Sequence, residues 1–362
     1  METKRLILKK FSDYYRTAKI TVPAIAQREF GVGGFAKKIE SRHIAFQNDE
    51  MLRNYLVQDT PLYISHSIAY YEFPSATPME KKNWGGADLI FDLDVHAGIF
   101  LTPEEIEKVK GDAIALKEDF LVSDFGISPK QIRTVFSGNR GFHLHVPDQD
   151  YRGLGGDARR EISDYVSATG LDYRTFFTKE EVGRGAFMIS GPRETDWGYR
   201  GRFYRRVERM LRSEPQKIHR RLKKEGEMAN FLSGMREGIW SRTSIKDIIE
   251  RLGVVWEGMP IGSIDVDTGV TIDTKRLIRV PGTLHGSSGL CAMEVKDVEK
   301  FEPYRDAAVL GKEPMRIRAL QPVAEQEFLG ETMEKISKGA EAEAPASYAL
   351  CLALKGAAEL TP

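Results

Sequence analysis

Apolar and polar positions alternate along GGADLIFDLDV (Gly85–Val95) with the two-residue period of a strand. Leu89, Phe91 and Leu93 then share one face, and Ile90, Asp92 and Asp94 the other. The two carboxylates stand roughly 6–7 Å apart along the backbone, two residues at about 3.3 Å each. At that spacing they reach toward one cation or a pair of cations; buried without one, they repel each other and lose hydration. A second run, IRTVFSGNRGFHLHV (Ile132–Val146), predicts strands on either side of a hairpin-like turn, Ser137-Gly138-Asn139-Arg140-Gly141. Phe142, Leu144 and Val146 are expected to face the core, with His143 and His145 on the opposite side.

Helical spacing takes over in LTPEEIEKVKGDAIALKEDFLVSDFG, a helix predicted over 102–125. Thr102 is its N-cap, Pro103 its first residue, and Glu105 completes a capping box. RTSIKDIIERLG predicts another helix, from Thr243 or Ser244 to Gly253, and the pattern from about 200 to 253 is helical throughout. Strand-like runs precede and follow it. The expected fold is therefore α/β (α+β, with mixed sheets) carrying a helical insertion. Residues 1–199 and 254–330 form a discontinuous domain, 200–253 the insertion, and 331–362 an Ala/Glu/Pro linker with a short amphipathic helix. No internal repeat is present.

At 362 residues, 41% hydrophobic and 29% charged, the chain suits one large or two ordinary domains with a substantial core. Lys+Arg and Asp+Glu balance at 53 each, so net charge is silent about partners. Charge is nonetheless clustered: Arg200–Lys224 holds eleven Lys or Arg against Glu208 and Glu214. Such a run is ordinarily a solvated helical face. An excess of this size on a neutral chain favours a phosphate-backbone surface, with Arg205, Arg206, Arg220 and Arg221 as candidates. Cys291 and Cys351 alone argue against a disulfide scaffold and a Cys-based zinc cluster, and they suit a reducing cytoplasm. Charge interrupts the N-terminal METKRLILKKF too early for a signal peptide. No segment approaches the ~18 apolar residues of a membrane span.

The glycines of the SGNRG turn let backbone approach a ligand, and its Ser and Arg suit phosphate oxygens. His143 and His145 read either as ordinary polar strand residues, as phosphate-binding groups, or as zinc ligands. A third stretch, IDVDTGVTIDTKRLIRVPGTLHGSSGL (Ile264–Leu290), offers Asp265, Asp267 and Asp273, then Lys275, Arg276, Arg279 and His285. Taken alone, an Asp/Gly-rich turn is just a turn. Together the three stretches supply carboxylates for two divalent ions facing several phosphate ligands, the equipment of in-line phosphoryl or nucleotidyl transfer.

DLIFDLDV, SGNRGFHLHV and RLIRVPGTLHGSSGL resemble, in order and spacing, motifs of the small catalytic subunit of archaeal and eukaryotic DNA primase, the archaeal form fitting best. QREFG (Gln27–Gly31) and ESRHIAF (Glu40–Phe46) are similar to the same family's N-terminal motifs, and the resemblance runs from about residue 10 to 305. It implies the primase-polymerase catalytic fold, with Asp92, Asp94 and Asp267 as metal-binding catalytic acids and Asp265 and Asp273 as weaker candidates. It implies that Ser137, Arg140 and His143 hold the incoming nucleotide's phosphates, that Arg279 and His285 also contact the triphosphate, and that Glu29 and Arg42 belong to the same site. The implied reaction is template-directed synthesis of short RNA or DNA primers from nucleoside triphosphates on single-stranded DNA, with two Mg²⁺ or Mn²⁺ ions. A primase large subunit is the implied heterodimer partner. Family members commonly carry a Cys/His zinc knuckle near the DLD strand; with no cysteine before Cys291, no structural zinc is expected here. The rival readings are a metal-dependent nuclease or phosphohydrolase, a repair-type primase-polymerase, and a non-catalytic nucleic-acid-binding subunit.

Overall fold

A computed structural model of the protein describes residues 2–95, 98–183, 186–257, 264 and 266–361. Asp265, a weaker acid candidate, lies outside the described residues. The chain divides into two compact units. One comprises Met1–Lys117, Ser128–Ser163 and Val266–Pro362; the other comprises Glu118–Ile127 and Asp164–Asp265. Helices combine with small sheets whose strand pairings among the described residues are all antiparallel, an α+β arrangement.

In the first unit, Leu89–Asp94 pairs with Gly141–Val146, which pairs with Arg133–Phe136 and then Met293–Glu294. The register sets Asp92 opposite His143 and Asp94 opposite Gly141. Leu89, Phe91 and Leu93 are fully buried, as the alternation requires, and Phe136, Phe142 and Phe301 meet edge-on or tilted on the core side. The opposite face is not open, however: His143 and His145 are buried as well, so both faces of this strand are covered. The helix Pro103–Ala115 packs on the same two strands. Its capping box is formed as expected: Thr102 Oγ1 accepts from the Glu105 amide at 3.2 Å and Glu105 Oε2 from the Thr102 amide at 2.8 Å. It ends earlier than 125, passing at Leu116 into a wider π turn to Val122.

A second sheet of the same unit runs Leu277–Arg279, Tyr63–Ser67, Phe30–Gly33, Ser41–Ile44, with Arg279 opposite Ser65. The third places Pro314–Ala319 between Glu341–Pro345 and Ala358–Thr361. These last segments correct the expected linker and amphipathic helix. The Ala/Glu/Pro stretch is a strand, and Ala346–Leu354 buries Tyr348 to Leu352 almost completely. A helix apolar around its whole girth is a core helix, and ASYALCLAL has no polar stripe to present to water.

The second unit takes in more than the expected 200–253. It includes a hairpin, Thr178–Gly183 with Ala186–Ser190, and a core in which Trp240 packs against Phe177, Phe203, Tyr204 and Phe231. Helix Gly198–Ser213 turns Phe203, Tyr204, Val207 and Leu211 inward. The helix predicted from Thr243 or Ser244 is reduced to the short turns Ile248–Arg251 and Gly253–Glu257. Both hydroxyls bond the Glu227 carboxylate, at 2.7 and 2.9 Å, instead of capping a helix. No helix among the described residues is long and apolar enough to cross a membrane.

Candidate active site

The turn SGNRG is built around Ser137, whose Oγ accepts from the amides of Asn139 and Gly141 at 3.4 and 3.2 Å. Gly141 is required by crowding. A Cβ there would stand 1.7 Å from the Leu93 carbonyl oxygen and 2.5 Å from Asp94 Oδ1. The turn is thus pressed against the acid strand, and Arg140 Nη2 lies 3.3 Å from Asp94 Oδ2. Gly138 adopts φ +82°, and a Cβ would crowd the His285 side chain, tying the turn to the loop that carries His285.

These elements enclose a cleft of about 440 Å³, lined by Asp92, Asp94, Ser137, Arg140, His143, Arg279, His285 and Arg42. Eight of the expected site residues therefore share one cavity of the first unit. Glu29 is fully buried beside it: its Oε1 accepts from Arg42 Nε at 2.9 Å and from the His43 amide at 3.2 Å, with Lys82 Nζ 3.6 Å from Oε2. Glu29 thereby holds Arg42 at the cavity.

Asp267 does not line the cleft. Its amide donates to the Asp92 carbonyl oxygen at 2.9 Å, and Val266 bridges Leu93, so its backbone extends the acid strand's sheet edge. Its carboxylate caps the turn Thr268–Ile272, accepting from the Val270 amide at 3.3 Å. Its charge still reaches the pair. Burial first, then Asp267, pushes the Asp92 carboxyl up to about 6, against the opposing pull of Arg276, Lys38 and Arg140. Burial and the neighbouring Asp92 likewise raise Asp94.

Several groups in the cleft lack partners. Asp92 Oδ1 is buried without a hydrogen bond, with His143 Nε2 3.5 Å away. Burial drives His143 down to about 4 despite the pull of Asp94, so the ring is neutral near pH 7. Arg279 is 9% exposed, with Nη1 unbonded and the guanidinium 5.3 Å over Tyr63; burial lowers it to about 10. Arg140 Nε is also buried and unbonded. His285 Nδ1 faces Ser287, and burial holds its ring neutral.

Among the described residues, no three or more His, Cys, Asp or Glu side chains are gathered as a metal-holding group. The donor set nevertheless suits a hard divalent ion. Asp92 and Asp94 offer only carboxylate oxygen, one of those oxygens is buried and unbonded, and a cation would relieve the like-charge strain on Asp92.

Lys38, Asn139 and Ser65 also line the cleft and were not singled out from the sequence. Asn139 sits inside a quoted motif, and Lys38 lies in the short segment joining QREFG to ESRHIAF, which was the available signal. Arg276, Lys275 and Asp273 line it too. The basic candidates belong to the second unit: Arg205 and Arg220 are exposed, and Arg221 Nη1 donates to Ser244 Oγ at 3.2 Å. Arg206, on the same helix as Arg205, is half-buried.

The profile of the DNA primase small subunit family matches residues 102–297. The DNA primase small subunit PriS of Methanococcoides burtonii is 34% identical over 396 aligned positions, covering 100% of both chains. That of Methanothrix thermoacetophila is 33% identical over 99% of each, and that of Methanosarcina barkeri 32% identical over 99% of this chain and 96% of the relative. The chain belongs to the DNA primase small-subunit family, and is a primase catalytic subunit of nucleotidyltransferase type.

Proposed function

We propose that the cleft binds a nucleoside triphosphate and joins it to a growing primer, with Asp92, Asp94 and Asp267 as the acids and Ser137, Arg140, His143, Arg279 and His285 as the phosphate cradle. One observation carries this: an acid wanting a cation and a buried arginine wanting an anion share a single cavity. Asp92 Oδ1 and Arg279 Nη1 are both buried and unbonded. A divalent ion would satisfy the acid and a triphosphate the arginine. The family implies metal-dependent catalysis; Mg²⁺ or Mn²⁺ held by the three aspartates would acidify the attacking 3′-hydroxyl and neutralise charge on departing pyrophosphate.

The protein's own groups supply position. Ser137 Oγ accepts from two turn amides, which leaves its hydroxyl proton to donate to a phosphate oxygen. Arg279 meets the phosphates as a cation. His143 and His285, neutral in the folded protein, serve as hydrogen-bond donors. Asp267, whose capping bond from the Val270 amide is long at 3.3 Å, would help hold the ion. Glu29 fixes Arg42 at the rim.

We assign the template to single-stranded DNA, with Arg205, Arg206, Arg220 and Arg221 of the second unit contributing to its binding, and the primase large subunit as the partner. The test is incubation with nucleoside triphosphates, a single-stranded template and Mg²⁺ or Mn²⁺, with and without that partner, products being resolved by length. Asp92→Asn and Asp94→Asn should each abolish synthesis, by at least about 10³-fold, with the circular-dichroism spectrum unchanged. Near-normal synthesis by either variant refutes the acid assignment. Shortened rather than lengthened strands would favour the hydrolytic reading.

A further inference from the structure

The C-terminal helix ends against the phosphate turn. Lys355, the residue closing Ala346–Leu354, places Nζ 3.4 Å from Asn139 Oδ1, inside the SGNRG turn and beside Arg140. Leu354 packs where a Gly289 Cβ would stand, at 3.2 Å, on the loop that follows His285. One helix end therefore touches both loops that carry the proposed cradle.

A lysine at a helix C-terminus has an ordinary structural use, bonding the last carbonyls and answering the helix dipole. The position of this ammonium argues for something further. Its partner is a neutral amide, not a carboxylate, and no ion pair to an acid is present among the described residues. Burial destabilises its ammonium form, Cys351 opposes this and the Arg140 charge adds to it, and Lys355 in turn disfavours protonation of His285. Arg140 is paired with Asp94, whereas Lys355 faces only an amide, and a part-buried ammonium with no acid of its own is available to an anion. The mounting is firm: Ala346–Leu352 is buried, Gly356 turns the chain at φ +70°, and Ala358–Thr361 is hydrogen-bonded into a sheet.

We propose that Lys355, held by the C-terminal helix against Asn139 of the cleft lining, is a further phosphate-binding residue that adds to the cradle of Arg140 and Arg279. This rests on the nucleotide-binding reading above. Lys355→Met keeps the stem and removes the charge, and Lys355→Arg restores a cation. Displacement of a fluorescent ATP analogue by ATP and by AMP from the full chain should show Lys355→Met losing about ten-fold or more for ATP. AMP should change less than two-fold, and Lys355→Arg should recover most of the loss. In the unaltered protein, ATP but not adenosine should protect Lys355 from acetylation, read by mass spectrometry; this holds even where a variant folds poorly. Unchanged ATP affinity in Lys355→Met, or equal losses for ATP and AMP with a lowered melting temperature, overturns the proposal, as does absence of protection. Arg140→Ala separates the two levels. If it loses ATP while Lys355→Met does not, the cleft reading stands and Lys355 falls. If the unaltered protein fails to bind ATP, both fall.

Discussion

Asp92 is held in the folded chain in a state that the proposed metal binding would have to reverse. Its carboxyl rises from an ordinary 3.8 to about 6, through burial and then the neighbouring Asp267. Folding therefore favours the protonated acid. The stability this group contributes is complete below about pH 4 and is lost as pH climbs through about 6. Without divalent ions, Asp92→Asn should melt about 2–4 °C above the unaltered protein at pH 7.5, with the gain gone near pH 4. Added Mn²⁺ should stabilise the unaltered protein and not the variant. A variant that melts lower at pH 7.5 contradicts the like-charge strain. Arg279 is the complementary case, and Arg279→Met should raise the Kd for ATP by at least about ten-fold, measured by calorimetry. The chemistry of these residues was legible because Asp92 and Asp94 share one face of a strand and Arg279 lies within RLIRVPGTLHGSSGL. Asp267's capping role, and the places of Lys38 and Lys355, depend on which loop lies beside which, and a linear pattern does not carry that.

At the scale of elements, local chemistry was readable and burial was not. The capping box at Thr102 and the Ser137–Gly141 hairpin turn rest on neighbours within a few residues, and both formed as the sequence predicts. The helix from Thr243 did not, because Glu227, distant in the chain, takes both hydroxyls. The strand at Glu341–Pro345 was hidden by its alternating Glu and Ala, which read as linker until a partner strand is known. Glycines of the first unit provide a matched test. Gly141→Ala would drive a Cβ into the Leu93 carbonyl, and should cost on the order of 2–4 kcal/mol in a denaturant titration and abolish synthesis. Gly111→Ala, in the interior of helix Pro103–Ala115 with nothing within 4 Å, should stabilise by about 0.5–1 kcal/mol. Equal midpoints for the two variants would show that the turn is not pressed on the acid strand.

For the whole molecule, the α+β class and the cleft were within reach of the sequence, whereas the boundary of the second unit was not. Its Glu118–Ile127 portion continues a single helical run out of the first unit, so no composition break marks it. The basic helices of that unit carry their own prediction. Converting Arg205, Arg206, Arg220 and Arg221 to Gln should reduce the slope of log affinity for single-stranded DNA against log salt by about 2–3. An unchanged slope returns the cluster to a solvated face.

The first unit is assembled from three separated stretches, and Asp267, Arg279 and His285 all lie in the last of them. During synthesis the aspartate pair leaves the ribosome long before the segment that supplies its neighbouring acid and two residues, Arg279 and His285, of the proposed cradle. A polypeptide stalled anywhere in Asp164–Asp265 would carry Asp92 and Asp94 without Asp267, Arg279 or His285. The order of translation thus withholds Asp267, Arg279 and His285 until the last of the three stretches is made.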